Sequence, residues 1–153
     1  MAAEQTNPTT ELIHHLRQPD LSILGNAIRR LPSGQWQERM FFFGAADTEL
    51  KAQTGKFPAT FRKDKTTHPI FILRAGTASH LACPCSTQGN RKRYRFIADG
   101  CKMEIKEQVM NRDSFLMEQY QFALPLDHRL CKGLRFFGKV PQHCLQDHRE
   151  NHP

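Results

Sequence analysis

The sequence predicts a mainly β domain, a small, partly open barrel preceded by a helical extension. Short apolar runs, five or six of them, follow residue 34, with turn signals at intervals of about 8–12 residues. Helical spacing of apolar residues is confined to the first 33 positions, so the pattern does not alternate strand with helix as a parallel sheet would. The chain is accordingly divided into a helical extension (1–33), a barrel domain (34–145) and a polar tail (146–153).

Each element has its own signal. Residues 1–10 are polar, contain Pro8 and read as a disordered lead. Thr10 can cap a short helix in which Leu12, Ile13 and Leu16 share a face, and Pro19–Asp20 ends it. Leu21, Leu24, Ile28 and Leu31 have helical spacing around Gly25–Asn26, before a turn at Pro32-Ser33-Gly34. The apolar run at residues 39–43, bounded by Gly34 and Gly44, predicts a buried strand. Residues 44–67 read as a long, Lys-rich loop, of the kind that is either functional or disordered. The segment PIFILR at 69–74 is the clearest strand, and residues 80–85 form a second; Gly76-Thr77-Ala78 joins them as a hairpin. A basic loop over 88–95 leads into a strand at 94–97 and a turn at Asp99–Gly100. Residues 102–109 fit a strand or a short helix. After a turn at Asn111-Arg112-Asp113, residues 114–124 read as one strand, 126–130 as a helical turn and 134–140 as the last strand, ended by Pro141.

At 153 residues the chain is too short for a barrel of eight βα units and has room for one core. It contains no apolar run near the ~18 residues of a membrane helix. Its first residues lack the apolar segment of a secretory signal, so a cytoplasmic protein without membrane association is expected. Twenty-two Lys and Arg against fifteen Asp and Glu give a net charge of +7, a surface suited to polyanions, nucleic acid first. The five cysteines, Cys83, Cys85, Cys101, Cys131 and Cys144, are expected to be reduced thiols in that compartment.

Two groups of residues have metal-ligand character. His80, Cys83 and Cys85 form H-x-x-C-x-C, with Cys101, Cys131 or His143 as a fourth zinc ligand. The second knuckle of a structural zinc site is missing, and the favoured reading puts both cysteines in the core. His143–Cys144 with His148 and His152, and the pair His14–His15, are read as solvated. No metal and no cofactor is expected. Phosphate-binding and hydrolase motifs (Walker A, G-x-G-x-x-G, H-E-x-x-H, G-x-S-x-G) are absent from the sequence. Arg91-Lys92-Arg93 and Arg95 form a dense basic cluster with Tyr94 and Phe96 interleaved. In a strand, Arg93 and Arg95 would share one face and the two aromatics the other, leaving the arginines for phosphate.

The order of elements from residue 67 carries a resemblance. Thr67-His68-Pro69-Ile70-Phe71-Ile72-Leu73 is followed by Leu81-Ala82-Cys83-Pro84-Cys85-Ser86-Thr87. Then come Asn111-Arg112-Asp113-Ser114-Phe115-Leu116-Met117-Glu118-Gln119 and Leu126-Asp127-His128-Arg129-Leu130. Over residues 67–130 this resembles the PemK/MazF ribonuclease toxin family, which implies an SH3-like barrel and RNA as the nucleic acid, ahead of DNA. The family's catalytic arginine precedes the proline of the first motif, a position held here by His68. Its Ser/Thr partner falls on Ser86. The arginine of its E-Q-x-R step is missing from Glu118-Gln119-Tyr120-Gln121-Phe122, and its opening G-D-[IV] strand is not recognisable.

The expected function is therefore RNA binding, with metal-independent endoribonuclease activity in which His68 is acid or base and Ser86 donates to phosphate. Arg74, Arg91, Lys92, Arg93 and Arg95 would hold the backbone. An acidic antitoxin protein and a second copy of the chain are the expected protein partners. The alternatives are a non-catalytic barrel that binds nucleic acid or protein, and a zinc-dependent binding domain built on His80, Cys83 and Cys85.

Overall fold

The computed structural model describes residues 31–58 and 66–150. The helix expected at 10–16 and the second one, at 21–31, up to residue 30 lie outside the described residues; of the extension expected at 1–33, residues 31–33 are described. The described chain forms β1 (Met40–Ala46), helix α1 (Asp47–Thr54), β2 (Thr67–Arg74), β3 (Ser79–Ser86), β4 (Phe96–Ile97), β5 (Ser114–Leu116), β6 (Phe122–Pro125), β7 (Arg135–Lys139) and β8 (Leu145–Gln146). Single 3-10 turns occupy Ser33–Gln35, Glu118–Tyr120, Arg129–Gly133 and Gln142–Cys144.

The strands pair antiparallel in the order β7-β1-β2-β3-β5-β4-β8, with β6 also on β3. The sheet curls into the partly open barrel that the sequence predicts. Side chains alternate across its pleat, and both faces are buried. Met40, Phe42, Ile70, Ile72 and Ala82 enter one core with Trp36, Leu50, Phe122, Leu124 and Phe136. Phe41, Phe71, Cys83 and Cys85 enter the other with Ile97, Met103, Leu116 and Val140. Burial on both faces is why β1 and β2 read as continuous apolar runs, a pattern that one-sided sheets do not need. The β7 edge is covered by the hairpin at residues 101–110. Glu104 N–H donates to the Lys139 carbonyl at 2.8 Å, and Lys106 Nζ donates to the Phe136 carbonyl at 3.1 Å. A Cβ on Gly138 would lie 2.5 Å from Met103, so the hairpin's close approach requires glycine there.

Several expectations change. Residues 44–67 are not a plain loop, because α1 fills Asp47–Thr54. Only Leu50 of that helix is a buried apolar residue, so it has no stripe to read. Residues 114–124 are two strands and not one. Between the pairs Cys85–Leu116 and Ala82–Phe122, β3 advances three residues and its partner chain six, and the three extra residues become the Glu118–Tyr120 turn. The strand expected at 94–97 keeps only Phe96–Ile97. Asn90 is the cause: its carbonyl accepts from both Arg93 N–H and Tyr94 N–H, and its Oδ1 from Lys92 N–H at 2.7 Å, which closes a turn. The expected alternation of arginines and aromatics along 93–96 is lost with it. Residues 102–109 form a hairpin with one bridge, Lys102–Val109, and a tip at Lys106 and Glu107, both at positive φ. The cysteines are not all reduced: Cys101 and Cys144 are joined by a disulfide, with Cα atoms 5.8 Å apart. The polar tail is not free up to residue 150, since β8 pairs with β4 and Glu150 N–H donates to the Lys92 carbonyl.

Candidate functional site

Three local features bring a carboxylate to His68. Gly44, at φ +102°, lies within the irregular step between Phe42 and Ala45 where β1 departs from regular pairing with β2. The chain then enters α1 at Asp47, an acidic residue in the first turn, where the helix dipole favours it. Ala45 pairs with His68 and Ala46 with Thr67, so the start of the helix lies beside the start of β2. The Asp47 carboxylate is buried, and both of its oxygens are used. Oδ1 accepts from His68 Nδ1 at 2.5 Å, and Oδ2 accepts from Thr66 Oγ1 at 2.5 Å.

The hydrogen bond at Nδ1 fixes the imidazole and leaves Nε2 without a partner among the described residues. The ring is 29% exposed, while Asp47 is 6% exposed. Phe57 closes one side, edge-on to the ring at 5.1 Å, and itself meets Tyr120 at 5.4 Å. The helix stop delivers Phe57 there: Gly55 is left-handed at φ +77°, and Thr54 Oγ1 accepts from Phe57 N–H at 2.9 Å.

Ser86 ends β3. The β2–β3 pairing ends at Ile70–Pro84; at the open end of the hairpin beyond it, His68 pairs with Ala45 of β1 and Ser86 with Phe115 of β5. Ser86 Oγ accepts from Gln88 N–H at 3.0 Å, and no hydrogen bond joins it to His68 among the described residues. Arg74 is not part of this end. It is six residues further along β2, about 20 Å away in an extended strand, in a hollow with Gly76, Ser79 and Ala123.

The basic cluster divides. Arg91 is engaged by Asp113, through Nη2 at 2.7 Å and Nε at 3.0 Å, and lies over the Phe96 ring at 4.7 Å. Burial opposes ionisation of Asp113, but the Asp99 N–H and Arg91 outweigh it and hold the carboxyl below its ordinary value. Lys92 faces Glu150 at 3.5 Å. Arg95 makes a two-pronged pair with Glu118, at 2.8 and 2.9 Å, which raises the guanidinium's affinity for its proton. Arg93 lies over the Tyr94 ring at 5.7 Å and has no ion-pair partner among the described residues. The Glu118–Tyr120 turn links both halves, with Glu118 facing Arg95, Gln119 donating to Tyr94 Oη at 3.2 Å, and Tyr120 against Phe57.

The residues suspected of metal binding are separated. His80 lies on the opposite face of β3 from Cys83 and Cys85. Its ring is enclosed: Nδ1 accepts from Gly76 N–H, Nε2 donates to the Ser33 carbonyl, and the Trp36 ring stacks on it at 5.6 Å. Cys83 and Cys85 line the other core, where burial and the neighbouring Cys85 thiol raise the Cys83 thiol well above its ordinary value. Cys101 and Cys144 are bonded to each other, and His148 packs edge-on to Phe96 at 5.3 Å. Among the described residues no three His, Cys, Asp or Glu side chains converge as a metal would need, and no helix is long and apolar enough to cross a membrane.

Sequence reasoning did not find Asp47, Thr66 or Arg149. A first-turn acid followed by Gly55 was the available signal for the helix, but nothing local ties Asp47 to a histidine 21 residues on. These features define a small β-barrel with a carboxylate-held histidine on one flank and an arginine cluster on another. Comparison with protein-family models, with curated proteins and with solved structures finds no match to this chain.

Proposed function

We propose that this protein binds RNA and cleaves it without a metal, in the manner of PemK/MazF-like toxins, with His68 in place of the family's arginine. The observation that carries the reading is the pair between the part-exposed His68 and the buried Asp47. Neutral His68, protonated at Nδ1, has the lone pair of Nε2 free for the proton of a ribose 2′-hydroxyl. The 2′-oxygen attacks phosphorus, the bond to the 5′-oxygen breaks, and that oxygen takes a proton from solvent water. The products are a 2′,3′-cyclic phosphate and a 5′-hydroxyl. Asp47 supports the imidazolium that forms, as a carboxylate does in other histidine-based sites. Ser86, at the same end of the hairpin, is the candidate hydroxyl donor to the phosphate. The net charge of +7 draws RNA to the surface, and an acidic antitoxin is the protein partner that such a surface suits.

The test is cleavage of labelled RNA in EDTA across pH 5–8. Wild-type protein should cut it, and His68→Ala should lower the rate about a hundredfold or more. RNA left intact by the wild-type protein would overturn the enzyme reading. A second reading, binding without cleavage, is favoured by one observation: Arg93, without an ion-pair partner among the described residues, faces a cleft lined by Tyr94, Gln119 and Arg149 and not by His68.

A further inference from the structure

That cleft has a volume of about 320 Å³ and is lined by Arg93, Tyr94, Leu116, Glu118, Gln119 and Arg149. Two arginines line it, Arg93 and Arg149, and a third, Arg95, is bonded to the wall residue Glu118. Arg95 and Arg149 each pair with a carboxylate, Glu118 and Asp147 respectively. Each is held by a carboxylate through Nε and one Nη2 hydrogen, so the Nη1 edge of each guanidinium carries none of these bonds. Tyr94 adds a ring face and Gln119 an amide. Cations beside an aromatic face match the chemistry of a nucleotide unit, a phosphodiester joined to a base.

Arg149 reaches this place on a strap, residues 141–150. The strap's strand pairing is the two-residue contact of β8 with β4. Ala98 N–H donates to the Cys144 carbonyl, Glu150 N–H donates to the Lys92 carbonyl, and His148 packs on Phe96. The covalent tie is the Cys101–Cys144 disulfide, five residues before Arg149.

We propose that this cleft is a phosphodiester-binding subsite and that the Cys101–Cys144 disulfide holds its Arg149 wall in place. The ligand's identity as RNA rests on the function proposed above; the site and its tether do not. The experiment measures binding of a fluorescent oligoribonucleotide of about 12 nucleotides by anisotropy, in a His68→Ala background that leaves the RNA whole. Arg149→Ala and Arg93→Ala should each weaken binding about tenfold and reduce the salt slope by about 0.7. Lys102→Ala, an exposed cation beside Glu107 on the 101–110 hairpin and outside the cleft's lining, should change binding less than about twofold. Replacing both Cys101 and Cys144 by Ser should weaken binding to the level of Arg149→Ala, and adding Arg149→Ala to that variant should change little more.

Undiminished binding by the Arg149→Ala and Arg93→Ala proteins, or no binding by the His68→Ala parent, overturns the subsite. A further tenfold loss when Arg149→Ala joins the serine pair overturns the tether. Should the serine pair fail to fold, hydrogen exchange on the otherwise unaltered chain with and without dithiothreitol decides: exchange rising first across 142–150 supports the tether, and unchanged exchange there overturns it. RNA held in an Arg149-dependent way but never cut by wild-type protein would leave the subsite standing and the nuclease reading refuted. RNA that is cut while Arg149→Ala binds normally would do the reverse.

Discussion

His68 and His80 stand on the two strands of one hairpin, and their rings differ in how many nitrogens find a partner among the described residues. His80 uses both ring nitrogens, accepting from Gly76 N–H and donating to the Ser33 carbonyl, with Trp36 against its face and 1% exposure. Its tautomer is fixed, and it has nothing left to exchange. His68 uses one nitrogen, toward a buried carboxylate, and presents the other at the open end of the hairpin. A carboxylate at Nδ1 supports a positive ring, whereas the neighbours of His80 satisfy only a neutral one. Full satisfaction makes His80 part of the core, and half satisfaction with partial exposure is what the role proposed for His68 requires.

Substitutions should pull the two histidines apart. The largest expected effect is on stability: His80→Ala empties a buried ring site and removes the partner of the Gly76 N–H and the Ser33 carbonyl, at a cost of about 3 kcal/mol. Urea unfolding of that protein should show a lowered midpoint with an unchanged slope, and a loss below about 1 kcal/mol would make His80 no more structural than His68. His68→Ala should do the opposite, losing about a hundredfold in cleavage while its urea midpoint stays above that of His80→Ala. Equal losses of stability and of rate in both variants would erase the distinction. Asp47→Asn keeps the ring but removes the charge that supports it, so the rate should fall by about tenfold, less than for His68→Ala. Rates of Asp47→Asn indistinguishable from wild type would reduce the carboxylate to a helix-start residue. Smallest of all, Thr66→Val removes one of the two donors to Asp47 and should lower the rate by about two- to threefold, with kcat and not KM carrying the change.

What could be read from the sequence follows from where the information lies. The apolar runs at β1 and β2 were legible because each strand is buried on both faces. The Glu118–Tyr120 turn was not, because it arises from unequal chain lengths facing β3, a property of two segments together. H-x-x-C-x-C suggested converging ligands, yet in a strand a step of three residues reverses the face, which sends His80 and Cys83 to opposite cores. Counting five cysteines could not pair Cys101 with Cys144 across 43 positions. The resemblance pointed to His68 and Ser86; the partner that makes His68 chemically interesting, Asp47, came from a stretch that composition presents as loop.

Whether His68 activates a ribose hydroxyl, as proposed, or a water is decided by the ends left on RNA cut in EDTA by wild-type protein. A 2′,3′-cyclic phosphate, or the 3′-phosphate to which it opens, is expected beside a 5′-hydroxyl. Fragments carrying a 5′-phosphate and a 3′-hydroxyl would contradict the proposed role, since the ribose 2′-oxygen takes no part in forming those ends.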